Sequence, residues 1–475
     1  MKNLIFLLIS LNCLSVFSQK IYMDILSSID DKKMKYETTA KSIWNLAEMG
    51  FQENESSAIL QEVLKEEGFV IVNGVAGMPT AFEATFGKGS PEIAILGEYD
   101  ALPGLSQQAT PYKMSSNGKA GHACGHHLFG TASAAAAIAI KNYIVKNKKS
   151  GTIKFFGCPA EEGGSGKVYM TRAGLFNNSD IALHWHPSSI NGASPKPALA
   201  NKSAKFRFYG IAAHAAAAPE KGRSALDAIE AMNSMVNMMR EHVDQSTRIH
   251  YVITKGGEAP NVVPDFAEVY YYSRHTRRDE VIKVFDRIVN AAKGAALGTG
   301  TTMDYEMIGG VHELLHIESL QKQVHKNLEK IGGYNYSQEE KNFAEKISES
   351  LGLKLNTEYV EGVQPYNSSI EAKGSGSTDV GDVSFALPTV GFNAATWVPG
   401  TPAHSWQAVA AGGTSIGIKG MLTAAKTLAL TGMQLIDNPK LIANAKKEFI
   451  LKRGKDFIYT PLIGDRKPAL NYRNQ

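Results

Sequence analysis

Cysteine is scarce in this chain: Cys13, Cys124 and Cys158 are the only three in 475 residues. So few cannot staple a protein of this size, which excludes a disulfide-built fold and leaves stability to a hydrophobic core. Net charge is scarce as well. Fifty Lys and Arg against 46 Asp and Glu give a formal charge of +4, and the basic residues are scattered apart from a tail after Lys440. The electrostatic footprint of a nucleic-acid binder is therefore missing. Proline is sparse (18 residues) beside 44 glycines, while 43% of residues are apolar and 20% charged, the balance of a globular, enzyme-like chain and not of a disordered one. A length of 475 exceeds one ordinary core and predicts two compact units. The first eighteen residues, MKNLIFLLISLNCLSVFS, combine Lys2, an apolar run from Leu4 to Leu14 and a small residue before Gln19. That is the pattern of a cleaved signal peptide, so export to a periplasm or the exterior is expected. The run is too short for a membrane anchor, which needs ~20 apolar residues, and no membrane span is expected.

What is present is a regular alternation of elements. Apolar residues at three- and four-residue spacing predict helices from Ile21 to about Glu67; then FVIVNGV, TAFEATFG and EIAILGEYD read as strands, followed by a Gly/Ser/Gln-rich loop and an alanine-rich helix over about 128–145. TIKFFGCPAEEGG and DIALHWHP read as buried strands ending in polar turns. The expected fold class is α/β, a partly parallel mixed sheet with helices on both faces. From about Asn201 the order changes to strand, helix, two strands, helix and strand, ending at TTMDYEMIGG, which predicts an inserted α+β unit of the split βαβ type over 201–311. The catalytic unit then comprises 19–200 and 312–437, where GSGSTDVGDVS is expected as a loop and LPTVGFNAATW as a strand. Residues 438–475 form an extension whose aromatic and proline residues suggest packing along the body. No internal repeat is visible.

The chemistry concentrates in a few motifs. GHACGHHLFG holds His122, Cys124, His126 and His127 within six residues. Thiolate and imidazole suit zinc-like cations, and four such side chains favour a metal over core or helix-capping roles. In PAEEGG, Glu161 and Glu162 follow a buried strand. Adjacent carboxylates diverge at such a turn, so one can ligate a metal while the other takes a proton from water; the alternative is an exposed acidic turn. His184 and His186 of DIALHWHP offer one further ligand, and His404 of TPAHSWQ could close the shell.

At EYDALPG, GHACGHHLFG, PAEEGG, DIALHWHP, FYGIAAHAAAAPEKGRSALDA, NVVPD and PAHSWQ, over about 40–435, the sequence resembles the M20 metallopeptidase and amidohydrolase family, in its amino-acid-conjugate hydrolase branch. The resemblance implies a metallohydrolase catalytic domain with an inserted lid and dimerisation domain, holding one or two divalent ions, Zn2+ or Mn2+. It implies Cys124, His126, Glu162, His186 and His404 as ligands, Glu161 as general base and Asp100 as support of the metal site. Two departures bear on the number of ions: Glu98 stands where other branches have a histidine, and His127 replaces the Asp or Asn usual after Cys-Gly-His. The resemblance further implies that His214 polarises the scissile carbonyl in the active site of a second subunit, and that Asn261 and Arg274 bind the substrate's carbonyl and carboxylate. Taken alone, His214 could simply pack and Arg274 could pair with Asp279 or Glu280. The implied substrate is a small N-acyl or N-aroyl amino acid, such as p-aminobenzoyl-glutamate. The alternatives are a dipeptidase or carboxypeptidase of the same fold, or a non-catalytic partner subunit; the implied assembly is a homodimer, with a heteromer as the other possibility.

Overall fold

In a computed structural model, residues 20–369 and 376–473 are described; the expected leader, 1–18, lies outside them. The central sheet has six strands: β1 (Val70–Asn73), β2 (Phe82–Lys88), β3 (Glu92–Glu98), β4 (Gly151–Cys158), β5 (Ile181–Leu183) and, from late in the chain, β10 (Thr389–Val390), in the spatial order β1-β2-β4-β3-β5-β10. β3, β4, β5 and β10 run parallel, whereas β1 and β2 are antiparallel additions. The strands read as nearly continuous apolar runs because the sheet is buried on both faces: Ile93, Ile95 and Leu96 of β3 and Ile153, Phe155 and Phe156 of β4 are all fully buried. Each such side chain contributes roughly 1.5–3 kcal/mol.

Helix α1 (His126–Lys146) lies against β3, and its composition explains how close it comes. Alanines dominate its core face, and a Cβ added at Gly130 would stand 2.6 Å from the carbonyl oxygen of Glu98. Only glycine permits that approach, which sets the N-terminus of α1 beside the carboxyl end of β3. The parallel strands β3, β4 and β5 all end on this edge, where α/β sheets carry their polar sites.

Between Ala200 and Val311 the chain builds a second, antiparallel sheet from β6 (Ala200–Tyr209), β7 (Arg248–Lys255), β8 (Phe266–His275) and β9 (Thr302–Val311), ordered β7-β8-β6-β9. Alternation decides its faces. Ala204, Phe206 and Phe208 of β6 are fully buried under α2 (Ala225–Met239) and α3 (Arg278–Thr299), with Ile229, Met232, Phe285 and Ile288 completing a core of their own, while Lys205 and Arg207 face away. Ser224 caps α2, its hydroxyl accepting from the Asp227 amide at 3.1 Å.

Two local expectations differ. GSGSTDVGDVS is not all loop: Val380–Ala386 is helical and buried, because Asp379 and Asp382, which look like exposed turn residues, are tied down inside the protein. LPTVGFNAATW is not one strand. It breaks at Gly391, where a Cβ would lie 2.2 Å from the His184 ring, and resumes at Asn393–Ala395 beside His186–Ser188. The segment after 438 forms a helix, Pro439–Arg453, and then runs along the body with Leu462 and Ile463 buried.

Candidate metal centre and active site

The site starts from a forced turn. Gly125 has φ +77, and a Cβ on it would stand 2.7 Å from Pro187, so the chain can reverse between Cys124 and His126 only with glycine there. His126 enters α1 fully buried, its Nδ1 2.7 Å from Asp100 Oδ1. The fields of His126 and Lys167 overcome the burial of Asp100 and hold its carboxyl below the usual range. A charged carboxylate can only accept, so His126 donates from Nδ1, which leaves Nε2 as the ring atom able to ligate a cation shared with Cys124 and His186. The other oxygen of Asp100 accepts from the Glu162 amide at 2.9 Å. One aspartate thus aligns both arms of the site.

The second arm is backbone under strain. Ala160 and Ser165 have φ +54 and +57, Gly163 has φ +89, and Glu162 leaves helical geometry with ψ 73. The left-handed Ala160 and Ser165 cost ~1–3 kcal/mol each and persist only where their surroundings over-determine them, whereas Gly163 takes its positive φ freely. The result is that Glu161 and Glu162 diverge. Burial and the neighbouring Glu162 push the Glu161 carboxyl well above its ordinary range. Glu162 is also penalised by burial, but the adjacent His404 and His126 imidazoles hold it below.

Three overlapping sets of ligand atoms each fall within 4.8 Å: Cys124, His126 and His186; Cys124, Glu162 and His404; and His126, Glu161 and Glu162. Cys124 Sγ is 3.4 Å from His186 Nε2, and His404 Nε2 is 3.1 Å from Glu162 Oε1. These are separations expected of atoms that share a cation at roughly 2.0–2.3 Å. His126 Nε2 and Glu162 Oε1 are buried, each with a polar neighbour at 3.1 Å (Glu98 Oε2 and His404 Nε2) that is not aligned for a hydrogen bond, and burial pushes the Cys124 thiol far up, so that a thiolate there requires a neighbouring cation. The donor set fits a divalent metal. His186 Nδ1 lies 2.8 Å from the Pro187 carbonyl, which turns its Nε2 toward Cys124; His184 borders the same cavity but joins none of the three sets.

Two of the three GHACGHH histidines behave otherwise. His122 Nε2 is 3.0 Å from the Ile43 carbonyl and His127 Nε2 3.1 Å from the Gly412 carbonyl, and the two rings pack 4.8 Å apart. Of the four potential ligand side chains of this motif, Cys124 and His126 join the ligand sets, and His122 and His127 do not. His127 is one residue on from His126 along a helix and so projects about 100° away.

Lys167 belongs to the site although no motif marks it. It is fully buried, with Nζ 2.6 Å from Glu98 Oε1 and 2.7 Å from Asp379 Oδ1, while Glu98 Oε2 lies 3.1 Å from His126 Nε2. The ammonium offsets carboxylates that could not otherwise share a dry interior. In GSGKVYM nothing distinguishes it from a surface lysine; the only signal is the departure at Glu98, which needs a partner. The cavity beside the cluster has a volume of about 490 Å³, with Lys196, His316 and Phe392 also in its lining.

The remaining candidates lie elsewhere. His214 is exposed on the inserted unit, its Nδ1 accepting from the Ala216 and Ala217 amides at 3.2 Å each. That leaves the proton on Nε2, facing outward as a donor. Asn261 is held beside it, its carbonyl accepting from Ala215 at 3.0 Å. Arg274 lies over the Tyr272 ring with its Nε buried and unpaired. Asp279 is taken by Arg277 and Arg278, and Glu280 by Lys283. None of these three residues lines the cavity of the metal cluster.

The chain is 40% identical to a p-aminobenzoyl-glutamate hydrolase subunit of Escherichia coli (strain K12), over 90% of this chain and 95% of that one. It is 30% identical to Xaa-Arg dipeptidase of Mus musculus, over 89% and 91%. The crystal structure of an aminobenzoyl-glutamate utilization protein from Klebsiella pneumoniae superposes with a TM-score of 0.62 at 16% identity, covering 86% of this chain and 97% of that one. Residues 94–407 match the profile of Peptidase family M20/M25/M40. Fold, metal-ligand cluster and relatives together place the chain in peptidase family M20/M25/M40, as a divalent-metal hydrolase of amide bonds.

Proposed function

We propose that this enzyme hydrolyses the amide bond of an N-acyl or N-aroyl amino acid, p-aminobenzoyl-glutamate being the substrate in the name of its relative from Escherichia coli. The observation that carries the reading is the meeting of Cys124, His126, Glu162, His186 and His404 around a cavity into which Glu161 also opens. A bound Zn2+ or Mn2+ would acidify water and withdraw electrons from the scissile carbonyl. Two ligand sets sharing the Cys124 sulfur support a pair of ions. Glu161, left as a free carboxylate once a cation offsets the charge of Glu162, takes the proton of the attacking water and passes it to the departing amine. Asp100 keeps His126 and the Glu162 backbone aligned throughout.

His214, with its outward Nε2 donor, completes the oxyanion site of a second copy, and Asn261 and Arg274 engage the substrate's carbonyl and carboxylate there. The assembly is a homodimer; a heteromer with a related subunit is the alternative. The chain is exported, with Gln19 as the first residue after cleavage, which sequencing the mature N-terminus checks.

The test is release of p-aminobenzoate from p-aminobenzoyl-glutamate by the purified chain supplied with Mn2+ or Zn2+, against hippurate and an Xaa-Arg dipeptide. Faster turnover of the aroyl-glutamate supports the reading. The 30% identity to Xaa-Arg dipeptidase favours a second reading, dipeptide hydrolysis, and preferential cleavage of the dipeptide would establish it.

A further inference from the structure

The loop that carries Glu161 and Glu162 is the most strained backbone of the site, and its internal bonding is thin. The Gly164 amide donates to the Ala160 carbonyl, yet the carbonyl of Glu162 points away from the loop. It is met by residues more than 300 positions later in the chain. The Tyr472 hydroxyl donates to the Glu162 carbonyl at 2.8 Å, and the Arg473 guanidinium donates to the same oxygen.

The fit around Tyr472 is close. Its ring packs edge-on against Phe51 at 5.7 Å. A Cβ on Gly50 would lie 2.2 Å from the Tyr472 hydroxyl, and one on Gly163 would lie 3.6 Å from its ring. The stretch leading to this contact, residues 455–473, is fastened along its length. Thr460 accepts from His312 at 3.0 Å, the Tyr459 hydroxyl donates to Asp382 at 2.7 Å, and Leu462 and Ile463 are buried. Arg172 donates to the Gly464 and Arg466 carbonyls at 2.8 and 2.9 Å. Arg466 in turn donates to the Ile308 carbonyl of β9 at 2.8 Å and lies 3.7 Å from Glu306. The strap thus joins the strand by which the chain leaves the inserted unit to the loop that bears the two carboxylates.

We propose that the strap 455–473 is a positioning element of the active site, Tyr472 and Arg473 holding the Glu161–Glu162 loop in its strained form through the Glu162 carbonyl. The inference rests on the assignment of Glu161 as base and Glu162 as ligand. A strained segment keeps its geometry only when external bonds fix it, and a displacement of about 1 Å at a reacting group can cost up to about a hundredfold in rate. Two charge-assisted or phenolic donors on one carbonyl supply that constraint. Neither residue touches the cavity, so the effect falls on turnover and not on substrate affinity.

The experiment compares the parent with the double variant Tyr472→Phe/Arg473→Met, which keeps the ring against Phe51 while removing both donors, and with Tyr472→Phe/Arg473→Lys, which restores one. Amide hydrogen exchange of the metal-free proteins reads the loop directly. Exchange over residues 161–166 is expected to quicken at least about tenfold in the Met variant and to return toward the parent in the Lys variant, with α1 unchanged. In the metal-loaded enzymes kcat is expected to fall about tenfold with KM, bound metal and Tm unaltered. Unchanged loop exchange overturns the inference whatever the activity. So does a kcat within twofold of the parent, or a loss of kcat that tracks loss of Tm or metal, since the strap would then be scaffold. Quickened exchange in a chain whose parent shows no amide hydrolysis upholds the strap and defeats the functional reading instead.

Discussion

The residues around the cation-binding cluster and those on the inserted sheet are built in opposite ways. Around the cluster three of the ligand residues are held twice: His126 by its helix and by Asp100, Glu162 through its backbone by Asp100 and by the strap, His186 by its strand and by the Pro187 carbonyl. On the inserted unit, His214 and Asn261 sit at an exposed loop, and Arg274 has its Nε buried without an acceptor. The first set is complete within one chain. The second has orientation without a target, which is the geometry of groups that act on another molecule, whether substrate or second copy.

Substitutions separate the two regions. The largest effect belongs to Glu161→Gln, expected to lower kcat about 10³- to 10⁴-fold with bound metal intact, measured by turnover and metal analysis together. Retention of activity would dissolve the distinction between base and ligand in the acidic pair. His214→Ala is expected to lower kcat about 10²- to 10³-fold, the range for loss of one oxyanion donor. Mixing it with Glu161→Gln should return about a quarter to a half of one site's activity through hybrid dimers, because each defect lies in a different subunit's contribution to that site. If mixing restores nothing, His214 does not serve a second copy.

At the seam between the regions, burial pushes His312 down to about 4 despite its bond to the Thr460 carbonyl. Its folded pKa lies below the unfolded value of 6.5. The unfolded chain therefore binds the proton first, and stability is full above about pH 6.5 and declines as the pH falls toward 4. Thermal unfolding of the metal-free protein should lose stability across that window, and His312→Gln should make the loss smaller by about 2 kcal/mol, the remainder belonging to His122, His184, His186 and His316, which burial lowers likewise. The smallest effect is expected for Arg274→Ala, an increase in KM of about tenfold with kcat little changed, seen in steady-state kinetics. A fall in kcat at constant KM would move Arg274 from substrate binding to the chemistry.

Much of the molecule is legible in the sequence because two periodicities carry it. The 3.6-residue pattern marks α2 and α3, alanine-rich composition marks α1, and the alternation of β6 and β8 marks the inserted sheet and its buried face. Ligand types at short spacing mark Cys124 and His126, and the turn after an apolar strand marks Glu161 and Glu162. Periodicity says nothing of long-range partners, which is why Lys167 looks like a surface lysine although it lies between Glu98 and Asp379, and why Asp379 and Asp382 read as loop. His122 and His127 group with the ligands in sequence because residue type and nearness cannot report which way a helix turns them. Tyr472 and Arg473 are invisible for the same reason: their partner is 310 or more positions away.

The central claim is that Cys124, His126, Glu162, His186 and His404 share a divalent cation. Substitution with Co2+ tests it most directly, through the sulfur-to-cobalt charge-transfer absorption that only a bound thiolate produces. The parent should bind at least one equivalent and show that band, and Cys124→Ala should lose it while Cys158→Ala keeps it. A parent that takes up no cobalt, or a band that survives Cys124→Ala, would contradict the account.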